Sequence, residues 1–358
     1  MVAESLTIER TKSPKTKPDF SQLAFGKNFT DHMFVVDYVE GEGWIDPRIV
    51  PYQPLTMDPS SLVFHYGQAV FEGMKAYYSG GNIMLFRPEK NFERLNQSNR
   101  RMSIPEVDEQ LLIDSLKELV SLERDWIPRG EGQSLYIRPF VIATEASLSV
   151  KPSSSYKLLI ILTPVGSYYG SGGDAMKPVS IYVENEFVRS VRGGVGFTKT
   201  AGNYAASLKA QEQAGSAGYD QVLWLDGVEQ RYIEEVGSMN IFFKISGKVV
   251  TPALNGSILE GITRDSVIEL LHYWDIPVEE RRIDMEEIRT AYEAGTLEEI
   301  FGTGTAAVIS PVGKLRWDAQ TYKINNEETG PLAKQLYDTI TGIQTGDQED
   351  VLHWTRTV

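Results

Sequence analysis

"GVGFTKTAGNYAASLKAQEQA", residues 194–214, sets one lysine, Lys199, between a glycine-rich strand end and the start of a helix. A lysine kept for solubility needs neither small neighbours nor a turn beside it, and most lysines are of that kind. Here "GGVGFT" precedes the residue and "AGN" follows it, and small residues let a ligand approach the backbone. An amine held in such a place, its pKa lowered by desolvation or by nearby cations, can bond an aldehyde carbon as a Schiff base. Around this stretch strands and helices come without strict alternation, which reads as α+β rather than a doubly wound parallel sheet.

Composition narrows what the amine can serve. A length of 358 residues suggests two domains, each with its own core. A hydrophobic content of 41% with 23% charged residues is that of a soluble globular chain. A net charge of −14 argues against nucleic acid or an anionic membrane as partner, while leaving room for a local cationic pocket. With no cysteine, disulfides, thiolate metal sites and cysteine nucleophiles drop out. His32, His65, His272 and His353 show no close pairing, so no metal is expected. "MVAESLTIERTKSPKTKPDF" lacks the apolar core of a signal peptide and is too acidic for a transit peptide. "YKLLIILTPV" is too short to span a bilayer, and a cytoplasmic location is expected.

Along the chain, residues 1–20 read as a loose polar arm. "HMFVVDYVEGEGWIDPRIVPYQPLTM" reads as strand, turn, strand, and "AVFEGMKAYYSGGNIMLFRP" as a hairpin closed at Gly80-Gly81. Helices are expected over "PEKNFERLNQSNRRM", where Pro88 suits a first turn, and over "DEQLLIDSLKELVSLERDWI". "SLYIRPFVIAT" and "YKLLIILTPV" read as buried strands. The glycine-rich "GSYYGSGGDAMKP" then marks a boundary, giving a small domain over 21–165, a connector over 166–176 and a larger domain over 177–358 that carries Lys199. In that second part "VSIYVENEFVRS", "QVLWLDG", "SMNIFFKISGKVVTPA" and "EEIFGTGTAAVIS" read as strands. "ITRDSVIELLHYW", "DMEEIRTAYEAG" and "GPLAKQLYDTITGIQTG" read as helices.

An aldehyde cofactor bearing a phosphate, pyridoxal phosphate, would make two further demands. One is a carboxylate that keeps a pyridine nitrogen protonated, so that the ring draws electrons. "YIEEVGSMNIFF" offers Glu234 and Glu235, of which an alternating strand can turn only one inward; the plainer reading is a solvated pair at a loop. The other is a phosphate cup. Gly261, Ile262 and Thr263 open a helix whose N–H groups and dipole favour an anion, and Thr303-Gly304-Thr305 makes a second hydroxyl-bearing turn. The latter formally matches a dinucleotide fingerprint, but β-branched residues and Pro311 follow where the helix should begin. Arg94 can grip a phosphate with its fork, or be an ordinary surface arginine.

These stretches in this order resemble the branched-chain amino-acid aminotransferases of the fold-type IV pyridoxal-phosphate enzymes. The pieces that carry the resemblance are "FEGMKAY", "LFRPEKNFERL", "SLYIRPF", "GGVGFTKTAGNYAAS", "QVLWLDG", "EEVGSMNIFF", "LEGITRDS" and "FGTGTAAVISP". The resemblance implies two α/β domains with the cofactor between them, and a homodimer. It makes Lys199 the Schiff-base lysine, Glu235 the partner of the pyridine nitrogen and Tyr204 the partner of the phenolic oxygen. Arg94, Ile262, Thr263 and Thr305 match the phosphate cup. Ser238, where the family often has threonine, and Ala306 match the turns that meet the substrate carboxylate. Tyr66, Phe71, Tyr136, Arg138 and Tyr168 match the substrate pocket, and Leu148 and Val150 the loop that reaches a neighbouring subunit's site. Mammalian members carry a C-x-x-C pair where this chain has Ala307 and Ser310, so thiol regulation is not expected.

The implied reaction is ping-pong transamination between leucine, isoleucine or valine and 2-oxoglutarate, giving the 2-oxo acid and glutamate. Its rivals are a D-amino-acid aminotransferase or aminodeoxychorismate lyase of the same fold type, and a phosphate-ligand binding protein without turnover. Arg138 is the candidate for pairing with glutamate's side chain, against the plainer reading of a structural arginine on a buried strand.

Overall fold

The computed structural model describes residues 5–166 and 176–358. Their contacts gather into two compact units: residues 5–166 with 198–201 and 342–358, and residues 176–197 with 202–341.

In the first unit His32–Val39 pairs with Gly43–Pro51 on one side and with Ser155–Val165 on the other. Beyond Ser155–Val165 come Ser134–Ala143, Met74–Ser79, Asn82–Phe86 and Thr355–Thr357, each antiparallel to its neighbour. Gly80 and Gly81, at φ 53° and 97°, close the expected hairpin; both central residues lie in the left-handed region that a two-residue turn of matching twist requires. One sheet face packs on the helices Pro88–Arg101 and Glu109–Leu122. Leu112, Leu116 and Leu119 recur at helical spacing and meet Phe34, Val36, Leu158, Ile160 and Leu162 in one core. Burying a side chain of this size contributes about 1.5–3 kcal/mol. Asp108 starts the second helix by accepting the Leu111 N–H at 2.8 Å.

Two segments differ from the sequence reading. The arm is tied down: Thr7–Ile8 adds a parallel strand to Arg48–Ile49, and the N–H groups of Thr11 and Lys15 donate to His32 Nε2 and Asp31. The chain end also belongs here rather than with the C-terminal half. Tyr77 Oη donates to Gln344 at 2.8 Å, and Thr355–Thr357 extends the sheet.

In the second unit the sheet runs Ile233–Val236, Gln221–Leu225, Val179–Val183, Val308–Trp317, Leu297–Gly304, Asn240–Ile245, Lys248–Thr251, Val278–Glu280. It is mixed: Val179–Val183 is parallel to both neighbours, the remaining pairs antiparallel save the last. The helix Ala201–Ser216 lies in the connection between Val179–Val183 and Gln221–Leu225, a parallel pair that no hairpin could join. "VSIYVENEFVRS" is strand only to Val183, because Glu184 turns its carboxylate back onto the N–H groups of Glu186 and Phe187. "EEIFGTGTAAVIS" is two strands and not one. The chain reverses over residues 305–307, pairing Gly304 with Val308, and holds Val308 at φ 60°, a conformation strained for a β-branched residue. Among the described residues no helix is long and apolar enough to cross a membrane.

Candidate active site

The main chain at Lys199 is fixed from both sides. Its N–H donates to Ser98 Oγ at 2.9 Å, its carbonyl accepts the Phe71 N–H at 3.0 Å, and Thr200 Oγ1 donates to the Ala69 carbonyl at 2.8 Å. The lysine is thereby stapled to the strand Ala69–Phe71 and to the helix Pro88–Arg101 of the first unit. Its Nζ lies 4.9 Å from the centroid of the Phe71 ring, and the Arg138 guanidinium lies 4.7 Å from the same ring.

Beside them sits a buried ion pair. Arg94 donates from Nε and Nη2 to the two oxygens of Glu72, at 2.7 and 2.8 Å, and Asn91 adds a third bond at 2.8 Å. Burial alone would raise the Glu72 carboxyl; the charge and fork of Arg94, the charge of Lys199 and the Asn91 amide outweigh it and hold the group below the usual glutamate range. Glu72 is fully buried, and sequence reasoning gave it no role. A glutamate inside the apolar run "AVFEGMKAYY" signals a buried partner, since an unpaired charge there would cost several kcal/mol. Lys75, two strand positions past Gly73 and opposite Tyr136, was also missed; burial pushes its amine down to about 8.

Tyr136 and Arg138 share one face of their strand, and Arg138 Nη2 donates to Tyr136 Oη at 3.1 Å. Arg138 Nε is buried without a hydrogen-bond partner. Gly73 is what lets Tyr136 in: a Cβ on it would stand 2.1 Å from Tyr136 Oη. Gly73→Ala is therefore expected to displace the Tyr136 hydroxyl and to cost about 1–3 kcal/mol of stability, measurable by denaturant unfolding. Tyr66 donates to the Leu148 carbonyl, and Tyr66, Leu148 and Val150 are all exposed, 84% in the case of Val150. Tyr168 lies outside the described residues.

In the second unit Glu235 is buried on the strand Ile233–Val236. Its Oε1 accepts the Leu259 N–H at 2.7 Å, and its Oε2 lies 2.9 Å from Arg189 Nε, an ion pair whose N–H points off the line of the contact. Arg189 also donates to the carbonyls of Gly196 and Ser257, at 3.1 and 2.5 Å. The glycine at 196 makes room for this. A Cβ there would fall 2.2 Å from the Ser257 carbonyl, so the chain's own loop fills the space that the sequence reading reserved for a ligand. Glu234 is a second departure. It is 3% exposed rather than solvated, bonded to Ser257 and Asn255.

The helix Ile262–Tyr273 starts at Gly261 with no capping side chain on its first N–H groups. Thr305 and Ala306 are half-buried in the 305–307 turn, and the hydroxyl of neighbouring Thr303 is buried without a partner. Ser238 is exposed next to Gly237, and Tyr204 is half-buried on the helix Ala201–Ser216. These residues fit pyridoxal phosphate. The first unit carries an amine at Lys199; the second carries the buried Glu235 carboxylate, an uncapped helix start at Ile262 and a Thr303 hydroxyl with no partner among the described residues, groups of the kind that an aldehyde, a pyridine nitrogen and a phosphate require.

The family of class IV amino-transferases matches residues 69–315 of this chain. The chain belongs to that family. Branched-chain-amino-acid aminotransferase 2 of Bacillus subtilis is 62% identical over 359 aligned residues, covering 100% of this chain and 98% of that protein. The crystal structure of the Escherichia coli branched-chain amino acid aminotransferase superposes with a TM-score of 0.76 at 27% identity, over 91% of this chain and 98% of the other. A T.th. branched-chain amino acid aminotransferase complexed with N-(5'-phosphopyridoxyl)-L-glutamate gives 0.72 at 25% identity, over 90% and 97%. This aminotransferase has the two-domain α+β fold of the fold-type IV enzymes, and by its full-length relatives it belongs with the branched-chain-amino-acid aminotransferases.

Proposed function

We propose that this aminotransferase, acting in the cytoplasm as a homodimer, uses pyridoxal phosphate to move the amino group of leucine, isoleucine or valine onto 2-oxoglutarate in ping-pong fashion. The observation that carries the reading is Lys199, whose backbone is locked on both sides while its amine is left to the side of Phe71, next to a fully buried Glu72–Arg94 pair. The phosphopyridoxyl-glutamate complex of the T.th. relative supports the cofactor and a glutamate-side partner.

In this reading Lys199 is the residue whose amine would hold the cofactor. Ile262, Thr263 and Thr305 hold the phosphate with Arg94, whose fork Glu72 orients. Tyr204 would serve the phenolic oxygen and Glu235 the ring nitrogen. Bound pyridoxal phosphate supplies a carbonyl that takes up the substrate's amino group and a protonated ring that draws off the electron pair of the α-carbon. Lys199 Nζ would take the proton from the substrate's α-carbon, as general base at the position its backbone bonds fix. Glu235, backed by Arg189, keeps the proton on the ring nitrogen. Ser238 and Ala306 meet the substrate carboxylate. Phe71, Tyr66, Tyr136 and Tyr168 line the side-chain pocket, with Leu148 and Val150 serving the neighbouring subunit.

One pocket must accept both leucine's apolar side chain and glutamate's charged one, and an unpaired carboxylate in a desolvated site is costly. Arg138, with a buried Nε that no acceptor among the described residues meets, suits the second task. Arg138→Gln is expected to weaken the glutamate half-reaction by roughly thirtyfold, the loss of a charge-assisted bond of about 2 kcal/mol, and to leave the leucine half-reaction much closer to normal. Single-turnover absorbance measures each half separately; equal losses would make Arg138 a scaffold residue.

The function itself is tested by reducing the purified protein with borohydride and mapping the modified peptide, then adding L-leucine, L-glutamate and D-alanine in single turnovers. Modification at Lys199 with turnover of the two L-amino acids is expected. Turnover of the D-amino acid alone would favour the D-specific relatives, and colour without turnover a binding protein.

A further inference from the structure

Ser257 presents a problem in proton counting. Its hydroxyl has one hydrogen, yet Oγ is in hydrogen-bond contact with two acceptors, Asn255 Oδ1 at 2.6 Å and Glu234 Oε1. The Asn255 amide cannot be turned round to relieve this. Its Oδ1 accepts the Ser257 N–H at 3.0 Å, and its Nδ2 faces Glu234 Oε1 at 3.4 Å. If the hydroxyl donates to an ionised Glu234, two oxygen lone pairs abut at Asn255. If it donates to Asn255, they abut at Glu234. One arrangement puts a single proton in each of these contacts: a proton on Glu234 Oε1 is donated to Ser257 Oγ, and the Ser257 hydroxyl donates onward to Asn255 Oδ1.

The surroundings agree with that arrangement. Glu234 Oε2 is buried and no donor among the described residues bonds to it, a setting that a neutral carbonyl oxygen tolerates far better than a share of a negative charge. Burial pushes the Glu234 carboxyl above the usual range; the bonds from Ser257 and Asn255 and the charge of Arg189 offset only part of this, and the charge of Asp226 adds to it. Arg189 and Asp226 are the charged groups that act on Glu234, and both have other engagements. Arg189 is spent on Glu235 and the carbonyls of Gly196 and Ser257. Asp226 accepts the N–H groups of Val228, Glu229, Arg231 and Tyr232.

We propose that Glu234 is a neutral carboxylic acid that fixes the turn from Asn255 to Leu259 through Ser257, and so aims the Leu259 N–H at Glu235. It is a positioning residue for the reaction, and this catalytic part rests on the role proposed for Glu235. The adjacent glutamates divide the work: Glu235 keeps its charge because Arg189 and Leu259 face it, and Glu234 supplies a proton to the loop that carries Leu259.

The experiment compares Glu234→Gln, Glu234→Ala and the unaltered enzyme. Glutamine keeps the neutral charge and offers an N–H where the acid offers its O–H. The melting temperature is followed from pH 5 to pH 8. An acid that holds its proton when folded and loses it when unfolded makes the folded state progressively less favourable as pH rises above the ordinary glutamate range, up to its raised folded value. The glutamine variant lacks that slope. Its melting temperature should therefore gain on the unaltered enzyme by about 2 °C or more across the range. A glutamine variant whose melting temperature keeps a constant offset from the unaltered enzyme across the range would show a Glu234 already charged when folded, and the proposal would be wrong. Infrared difference spectra at pH 7 should show a protonated-carboxyl stretch that the glutamine variant lacks; its absence overturns the neutral acid as well. These two readouts do not depend on turnover, so they stand even if the transaminase reading fails.

For the positioning role, kcat should fall roughly tenfold in Glu234→Ala with KM little changed, and no more than about threefold in Glu234→Gln. Equal losses in the two variants would remove the role assigned to the proton. Should Glu234→Ala not fold, Ser257→Ala breaks the same relay one atom further on and is expected to lower kcat by the same factor; a normal kcat there overturns the relay.

Discussion

Replacing Lys199 with alanine is expected to abolish transamination, by roughly 10⁴-fold or more, while the protein melts within a few degrees of the unaltered enzyme. The asymmetry follows from how the residue is held. Three bonds that dock this segment are main chain or belong to a neighbour: the N–H on Ser98, the carbonyl on Phe71 and the Thr200 hydroxyl on Ala69. Alanine keeps all three. Among what it removes are the amine beside Phe71 and a favourable charge acting on Glu72, which Arg94 and Asn91 continue to hold. A stability change within about 1 kcal/mol is therefore expected, and the chemical loss stands clear of it. Turnover is read from glutamate formation with leucine and 2-oxoglutarate, and folding from thermal melting of the same sample. Substantial turnover in the alanine variant would remove Lys199 from the mechanism. A variant that does not fold would mean that the amine itself holds the segment in place.

Much of this arrangement was legible because it is local. The Gly80-Gly81 hairpin, Pro88 at a helix start and the Leu112, Leu116, Leu119 stripe each follow from residues a few positions apart, and each appears where the pattern put it. Lys199 stood out for the same reason. What stayed hidden was long-range pairing. Arg94 reads as a phosphate ligand or a surface charge until Glu72, 22 residues earlier, is found across both arms of its fork. Nothing in spacing says that Arg189 backs Glu235, or that Gly196 is small to admit the Ser257 carbonyl. The turn expected at Thr303-Gly304-Thr305 falls at 305–307, displaced because "TAA" carries none of the glycine, asparagine or aspartate that usually marks a tight turn, and Val308 takes a left-handed conformation against its own preference. The chain end was assigned to the wrong half because strand pairing to Asn82–Phe86 leaves no trace in the composition of 355–357.

Replacing Glu235 with glutamine is expected to lower kcat by about 10²–10³-fold, the cost of losing a preorganised charge at the point where the ring must stay protonated. The same change also disturbs structure, and the geometry says how. Glu235 now offers one oxygen to Leu259 and the other to Arg189. An amide has a single oxygen, so its NH₂ must face either an N–H or a guanidinium, and Arg189 keeps a buried charge without its counter-ion. Breaking a buried pair from one side costs about 3 kcal/mol or more, and a lower melting temperature is expected with the lost activity. The two effects separate under measurement. Single turnovers with leucine, run well below melting on protein saturated with cofactor, report the chemical loss alone; cofactor retained on dialysis shows whether the site still binds. Glu234→Gln, one residue away on the same strand and equally buried, serves as the internal control. If it costs as much as Glu235→Gln, the loss comes from disturbing this strand and its loop and not from the charge at the ring. If Glu235→Gln turns over normally, the nitrogen's proton is held by some other group. A slow, folded, cofactor-bearing Glu235→Gln beside a competent Glu234→Gln leaves one explanation: the pair of glutamates is chemically divided, with the charge kept only where Arg189 stands behind it.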